Sequence, residues 1–573
     1  MKNVFLLFTI PILLLGFITL KLKNKETLAT IELKKSNALG CSPYSGGNIA
    51  AGADGKFVTA LPGWGNHSYP ISTNKDSARF YFNQGLNMYY SYHFREAIAS
   101  FKEAARFDPG CAMAYWGEAL AMGPGYNSAR SYKMPKEVPA VLQLMNQDSS
   151  HATPKEKKLI DIMNSRYSSD TTDKQRVTLN MAYAQGLHEL ISQYPDDPEI
   201  KVFYIDAIML IHPWDFWNND GTSKEWTPEV VSLCEDILKE NPRHPAALHY
   251  YIHLTEASRH PEVALPGADI LKDLLPGVAH MVHMSSHEYE RNGLYAKGVE
   301  VNDRADDDLI HYDSLAKNIN LTKHVSHYFA VQAYCALSGG MYSKGMPDAI
   351  RCRKSVSPAY EKTYLQYLYM MPALAQVRLG KWKEILKDGT EPDARWTYAG
   401  VLNDFAKGMA FVNTGHPDSA SGRLHLLQHK AKDSIMAIAD TLTNTALQGA
   451  EVAEEILNAS ISFSQKKYDV AIAHIKQAIQ IEDSMIYYEP KDWLIPARQF
   501  LGAFYLKLGK PALAEKVYRE DLAWNPGNGW SLLGLCQSLK AQHKNEQLAK
   551  YKSQYLLSFS RADQIPPGSV YMN

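Results

Sequence analysis

The residues of this chain best suited to chemistry are its histidines, and ten of the twenty lie between positions 244 and 327. Seven of these ten have helical spacing and form three groups: His249 with His253; His280 with His283 and His287; and His324 with His327. Residues three or four positions apart on a helix share one face, so each group predicts a stripe of imidazoles. Imidazole is the side chain that most often binds transition metals in proteins.

The three stripes would form one site if neighbouring helices stack and bring them together. Such a site would suit zinc, copper or iron. Seven imidazoles exceed one four-coordinate site, so this hypothesis requires two metal ions, or a mixture of ligands and supporting groups. Two alternatives stay open: a polar pocket that binds a ligand without metal, and a structural layer of hydrogen-bonded rings. The nearby carboxylates are Glu256, Glu262, Glu288, Asp303 and Asp306.

Two other segments combine aromatic rings with charged side chains, and together they predict a ligand pocket. Its candidate residues are Trp214, Asp215, Glu489, Trp493 and Arg498. The first two belong to the aromatic segment at 212–217, and the alternative is an insertion that packs its own rings. For the other three the alternative is a helix start marked by proline and capped by Asp492.

Helix pairs are the elements predicted to position these side chains. With Gly85 at position 8 of a 34-residue repeat, Ala97, Phe101, Ala104 and Pro109 fall at positions 20, 24, 27 and 32. Small residues at 8, 20 and 27, a large one at 24 and proline at 32 are typical of tetratricopeptide repeats.

The same register recurs near the end of the chain. With Gly502 at position 8, Tyr505, Ala514, Tyr518 and Pro526 fall at positions 11, 20, 24 and 32. A weaker match starts at Ala459. One pair cannot bury its apolar face alone, so pairs must stack. We therefore predict an all-α fold: a right-handed α-solenoid of about a dozen TPR-like helix pairs, several of them degenerate.

The solenoid is predicted over residues 76–573, with a histidine-rich middle at 244–327 and insertions near 213–228 and 341–360. Residues 24–75 are rich in Gly, Ser, Asn and Pro and predict a linker or irregular cap. Residues 1–23 contain the apolar run 4–20 between lysines, which predicts a signal peptide or an N-terminal membrane anchor. The expected location is therefore extracytoplasmic: periplasmic, cell-surface or membrane-anchored.

Composition and motifs argue against several classes of protein. The net charge is -1 and the basic residues are dispersed, so we expect no nucleic-acid partner. None of the six cysteines forms a CxxC pair, which disfavours a cysteine metal site. Phosphate loops, HExxH, GxSxG and dinucleotide fingerprints are missing from the sequence.

Several short motifs together resemble a family of bacterial tetratricopeptide repeat proteins, most of them without an assigned activity. The similarity begins at Gly-Asn-His (65–67) and covers most of the chain from about residue 62. The matching segments are 65–73, 111–117, 123–127, 244–253, 280–287, 488–498 and 528–530. The resemblance implies the repeat fold and marks the histidine segments, but it implies no reaction. The chain departs from the family at 324–327 (His-Val-Ser-His) and at 92–94 (Tyr-His-Phe).

Two functions from different classes follow from these observations. The first is an exported repeat scaffold whose concave surface binds a protein, peptide or glycan. The alternative is a metal-binding protein, or a metal-dependent enzyme, with a pocket lined by the seven histidines.

Overall fold

A computed structural model describes residues 49–127, 132–170, 172–315, 326–439 and 444–572. Within these ranges the chain forms twenty-five α-helices, three short 3-10 helices and no β-strand. The predicted all-α class is confirmed. The predicted signal or anchor at 1–23 and most of the predicted linker lie outside the described residues, and residues 49–75 contain no helix.

The first half of the array comprises eleven α-helices. They are α1 Asp76–Tyr90, α2 Phe94–Phe107, α3 Ala112–Met122, α4 Val138–Gln147, α5 Pro154–Ser165, α6 Arg176–Gln193, α7 Pro198–Ile211, α8 Thr227–Glu240, α9 Pro245–Thr255, α10 Leu265–Leu274 and α11 Ala279–Arg291. The 3-10 helices Ser149–His151 and Pro261–Ala264 lie between members of this set.

The second half comprises fourteen α-helices and the 3-10 helix Ser434–Ala437. They are α12 Tyr295–Leu315, α13 Ser326–Ser338, α14 Tyr342–Ser355, α15 Thr363–Tyr369, α16 Met371–Arg378, α17 Trp382–Lys387, α18 Thr397–Asn413, α19 Pro417–Lys430, α20 Ala446–Ser464, α21 Tyr468–Ser484, α22 Ala497–Lys507, α23 Pro511–Trp524, α24 Gly529–Ala541 and α25 Asn545–Ser558.

Consecutive helices pack against each other in pairs, as the repeat register predicts. In the first repeat the Phe101 ring lies between α1 and α3. A Cβ atom added to Gly85 would come within 2.8 Å of this ring, and one added to Gly117 would overlap it more closely. Glycine at these two positions therefore lets two helices approach one aromatic side chain.

The C-terminal repeat uses the same arrangement. Tyr518 on α23 lies between Gly502 on α22 and Gly534 on α24, and a Cβ atom at either glycine would overlap its ring. The predicted register therefore describes real packing at both ends of the array.

One predicted insertion is confirmed and the other is wrong. Residues 212–226 connect α7 to α8 without a helix, as expected. The second predicted insertion, 341–360, is largely α14, and Pro347 lies inside that helix. Among the described residues, no helix combines the length and apolar character that crossing a membrane requires.

The array curls until its C-terminal part contacts its middle. Trp530 Nε1 donates to the Ser338 carbonyl at 2.8 Å, and Asn219 Nδ2 donates to the Ser484 carbonyl at 2.9 Å. Two large hydrophobic cores result, one formed by residues up to Met284 and the other by residues from Ala330 onward. Along the chain, the histidine-rich segment covers the end of the first core and the stretch that leads to the second.

Candidate metal centre

Helices α9 and α11 bring three imidazoles together in a group that we name triad one: His249, His253 and His280. Their ligand nitrogen atoms lie within 4.8 Å of one another, and all three side chains are buried. His249 Nε2 and His280 Nε2 are 3.1 Å apart. α9 begins at Pro245, with His244 as its N-cap, and this start fixes the face on which His249 and His253 lie.

Helices α11 and α13 form a second group, triad two: His283, His287 and His327. It meets the same 4.8 Å limit, and the Nε2 atoms of His283 and His287 are 3.1 Å apart. His280, His283 and His287 continue along one face of α11, so this helix contributes to both triads. The predicted convergence of the three stripes is thus confirmed for six of the seven histidines. His324 lies outside the described residues.

Triad one is held by hydrogen bonds on the outer sides of its rings. His249 Nδ1 lies 2.6 Å from the Tyr90 carbonyl, and His253 Nδ1 lies 2.9 Å from Glu256 Oε1. A carbonyl oxygen only accepts, so His249 Nδ1 carries the hydrogen and a neutral ring has its lone pair on Nε2. His253 Nε2 is buried and has no hydrogen-bond partner among the described residues.

Triad two is supported in the same way. His283 Nδ1 donates to Asn302 Oδ1 at 2.6 Å, while the Asn302 amide group donates to the Gly298 carbonyl at 2.8 Å. His287 Nδ1 lies 2.9 Å from Glu489 Oε2, and the His327 ring hydrogen-bonds to the Glu489 backbone. Such partners fix the tautomer and orientation of histidines that bind metals.

Burial keeps several of these rings neutral. It lowers the pKa of His249 and of His327 to about 3, and it lowers the pKa of His253 and His280 well below the usual range. A neutral imidazole with Nδ1–H presents its Nε2 lone pair, which is the form that binds a metal ion.

Two carboxylates connect the triads. Glu256 contacts His253 of triad one, and its second oxygen lies 3.8 Å from His287 Nδ1 of triad two. Burial and the charge of Glu489 raise the pKa of Glu256 well above its usual value. Burial alone would raise the pKa of Glu489 too, but the neighbouring His287 lowers it below the usual range.

A third cluster, His67 with Glu199 and His244, also meets the 4.8 Å limit. Both histidines contact the same oxygen of Glu199 through Nε2, with His244 at 3.1 Å. His244 Nδ1 accepts a hydrogen bond from the Ala247 amide, so its hydrogen is on Nε2 and points at the carboxylate. Both Nε2 atoms therefore already have a carboxylate partner.

The predicted ligand pocket is partly corrected. Trp214, Trp493 and Arg498 do line one cleft. Glu489 does not belong to it, because its side chain is buried beside His287. Asp215 also lies outside the cleft and pairs with Lys224 at 3.1 Å.

Of the five carboxylates considered from the sequence, Glu256 is the one that contacts the triads in the described part of the chain. Asp303 and Asp306 pair with Lys344 and Arg351, and Glu262 is exposed beside His260. Glu288 is buried and contacts Asn292.

Sequence reasoning missed the supporting groups. Nothing in the sequence marks Asn302, Tyr328 or the Tyr90 carbonyl as partners of imidazoles distant in the chain. The cluster around Glu199 was missed as well, although His67 and His244 both fall in segments that resemble the repeat family.

The fold and the two triads define a class: a helical repeat protein with an internal histidine centre. No protein-family model matches the chain, and a comparison with curated proteins gave no match. Human IFIT1, solved as a dimer with m7Gppp-AAAA, shares 11% identity at a TM-score of 0.34, covering 78% of this chain and 90% of that one. The Cut9-Hcn1 hetero-tetramer of APC/C shares 13% identity at a TM-score of 0.28, covering 81% and 76%. Likeness at this level assigns no function, so the fold assignment depends on this chain's own helix pairs.

Proposed function

We propose that this protein binds two transition-metal ions, one in each histidine triad. The observation that carries the proposal is the unpartnered Nε2 atom of His253, buried beside the Nε2 atoms of His249 and His280. Without a metal ion, a hydrogen bond can join only two of these three Nε2 atoms. The third would then have no partner. A metal ion takes all three lone pairs at once, and an unsatisfied buried polar atom costs about 1–3 kcal/mol.

In each triad, one Nε2–Nε2 distance is close to that expected for two ligands of a tetrahedral ion. At a Zn–N distance of ~2.0–2.1 Å, tetrahedral ligand atoms lie ~3.3–3.4 Å apart, close to the 3.1 Å between His249 and His280 and between His283 and His287. Three imidazoles suit zinc, copper or iron and leave a fourth position for water or a substrate. This open position is what a metal-dependent enzyme would require.

The test is metal analysis of untagged full-length protein after metal removal and reconstitution with zinc or copper. We expect two ions per chain. The double variant His283→Ala with His287→Ala should lose one of them. A matched control replaces His425 and His429, which are also four residues apart but lie on the exposed face of α19.

The result has two informative alternatives. If reconstituted protein holds less than a stoichiometric ion and the double variant is indistinguishable from the control, the triads are hydrogen-bonded packing and the proposal fails. If the control variant loses metal instead, the ion is bound at the surface.

We also propose a scaffold role outside the cytoplasm, with a protein, peptide or glycan partner. The apolar run at 4–20 and the stacked helix pairs support it. Cell fractionation of the full chain and of a chain lacking residues 1–23 tests the location. Equal cytoplasmic recovery of both would contradict export.

A further inference from the structure

A cleft lies between the loop that follows α7 and the segment that precedes α22. Its volume is about 930 Å³, including its solvent-filled mouth. Trp214, Trp217 and Asn219 form one wall, and Tyr487 and Lys491 belong to the opposite one.

Four cationic side chains line this cleft, and three of them lack a carboxylate partner within ion-pair distance among the described residues: Arg259, Arg291 and Lys491. Arg259 donates to the Asn219 carbonyl, and Arg291 donates to the carbonyls of Glu256 and Ser258. Lys491 Nζ hydrogen-bonds to the neutral Asn525 side chain. These three cations therefore hydrogen-bond to neutral groups. Glu290 interacts electrostatically with Arg291 and Lys491 without forming an ion pair with either.

The acidic residues of the cleft are already engaged. Asp483 forms two hydrogen bonds with the fourth cation, Arg498, at 2.5 and 2.7 Å. Glu482 accepts from the Ala497 amide at 2.7 Å, and Asp492 accepts from Asn444 at 2.7 Å. Because Glu482 and Asp492 hydrogen-bond only to neutral groups here, their charges also count: the lining holds four cations and three carboxylates, an excess of one positive charge.

Aromatic rings also line the cleft and give it flat apolar surfaces. Trp214, Trp217 and Trp524 line it, together with Tyr487. Arg259 lies 4.1 Å from the centroid of the Trp524 ring, so a cation and flat apolar surfaces face the same space. A ligand that satisfies both has an anionic group attached to a flat apolar body.

One layer of side chains separates this cleft from the histidine triads. The Trp214 ring lines the cleft and lies 5.6 Å, centroid to centroid, from His253 of triad one. The Tyr487 hydroxyl donates to Glu489 Oε1 at 3.2 Å. Trp214 also has a φ of +66°, a left-handed conformation that bulky residues rarely adopt. Such strained positions concentrate at functional sites.

We propose that the cleft binds an organic anion with a flat apolar body, such as an aromatic carboxylate, and that Trp214 closes the path from this ligand to triad one. The second part rests on the proposed metal function. The first does not, because the cations and rings of the cleft are present without metal.

Binding is tested with 1-naphthoate as the probe, titrated calorimetrically into metal-free full-length protein. Naphthoate should bind, and 1-naphthylmethylammonium, which has the opposite charge, should not. Lys491→Gln removes one charge-assisted contact and should weaken binding at least about tenfold, whereas Lys491→Arg should retain it. Lys516→Gln, an exposed lysine paired with Glu520, is the control.

Equal affinity for both probes, absence of naphthoate binding, or a Lys491→Gln affinity equal to that of the control would overturn the anion site. His253→Ala should lose triad-one metal and keep naphthoate binding, so failure of the cleft and failure of the metal proposal give different results.

The path is tested by the rate at which a chelator removes metal from loaded protein. Trp214→Ala should speed release from triad one severalfold, and bound naphthoate should slow release from the wild type. Trp217→Ala is the matched control, because Trp217 also lines the cleft but donates to the Leu254 carbonyl. Identical release rates in the two variants would contradict the proposal that Trp214 closes the path to triad one.

Discussion

Two regions of this protein gather the same kinds of side chain with opposite consequences. In the cluster of His67, Glu199 and His244, hydrogens on imidazole Nε2 atoms point at a carboxylate. In triads one and two, the fixed hydrogens are on Nδ1 and point outward, and the Nε2 atoms face one another. In all three groups, side chains that could bind a metal ion lie close together.

The difference teaches that the partner of the outer nitrogen decides what a histidine cluster can bind. A carbonyl or amide oxygen behind the ring leaves a lone pair in front, where a cation is needed. An amide N–H behind the ring, as Ala247 provides for His244, leaves a hydrogen in front, which a carboxylate satisfies. In triad one the first arrangement leaves His253 Nε2 without a partner among the described residues, whereas in the second the Nε2 atoms of His67 and His244 both face a carboxylate.

The largest expected effect is stabilisation by metal. At free zinc about 1,000-fold above each Kd, two sites should add about 8 kcal/mol to the free energy of unfolding, ~4 kcal/mol per site. His253→Ala should remove about half of this gain, and Glu199→Gln none. Denaturant unfolding with and without zinc measures it. If the stabilisation by zinc depended on Glu199, the cluster around Glu199 would not differ from the triads in metal binding.

Acid should destabilise the metal-free protein next most strongly. The pKa of His249 and of His327 is about 3 in the folded state against an ordinary value of 6.5, so the unfolded chain binds more protons between these values. Stability is therefore complete above 6.5 and is lost as pH falls. Between pH 7.5 and 5 each ring should cost about 2 kcal/mol.

Glu199 should not contribute in that window. Burial alone would raise its pKa, but hydrogen bonds from His244 and His67 lower it to about 2 from 4.5, so its stabilisation disappears only below pH 4.5. Burial lowers the pKa of His244 and Glu199 raises it, so urea midpoints should fall between pH 7.5 and pH 5 at least as much in Glu199→Gln as in wild type. A pH-independent wild type would mean that the triad rings are charged when buried.

Glu199→Gln should itself cost about 1–3 kcal/mol of stability, because it replaces the charged acceptor of two imidazole hydrogen bonds with a neutral amide. Metal content should stay at two ions per chain. Denaturant unfolding gives the free energy of unfolding, and metal analysis of the same preparation gives the number of ions per chain. Loss of an ion in this variant would identify the third cluster as a metal site.

The smallest expected effect is a change in the affinity of triad two for metal. Asn302→Ala removes the acceptor behind His283, and such changes typically weaken metal binding ~10–100-fold, or about 1.4–2.7 kcal/mol. Competition with a chromophoric chelator should show this loss at triad two while triad one is unchanged. Asn146→Ala, which removes an exposed amide pair with Asn164, is the control. Equal losses at both triads would argue against a local role for Asn302.

The sequence predicted the repeat because its signal is local. Gly85 and Phe101, and likewise Gly502 and Tyr518, are one helix apart, and their sizes alone specify how a pair packs. The expected insertion at 341–360 is wrong because tertiary packing holds α14 together there, even with Pro347 inside the helix.

The candidate site was predictable only in part. The spacing of His249 and His253, and of His280, His283 and His287, fixes a common face within one helix. The outer partners of these rings come from Tyr90, Asn302 and Glu489, which are brought near by stacking and by the curl of the array. No local pattern encodes such contacts, and Glu489 was therefore assigned to the wrong pocket.

The contact between His287 and Glu489 has a consequence for synthesis. All imidazoles of the triads leave the ribosome before residue 328, but the Glu489 carboxylate behind His287 emerges 162 residues after His327 (489 − 327). A nascent chain can gather the rings early, yet the anion that orients triad two arrives only when the final repeats fold back. Tight retention of metal at triad two would thus report that the chain has been made at least as far as Glu489 and has folded back onto α11.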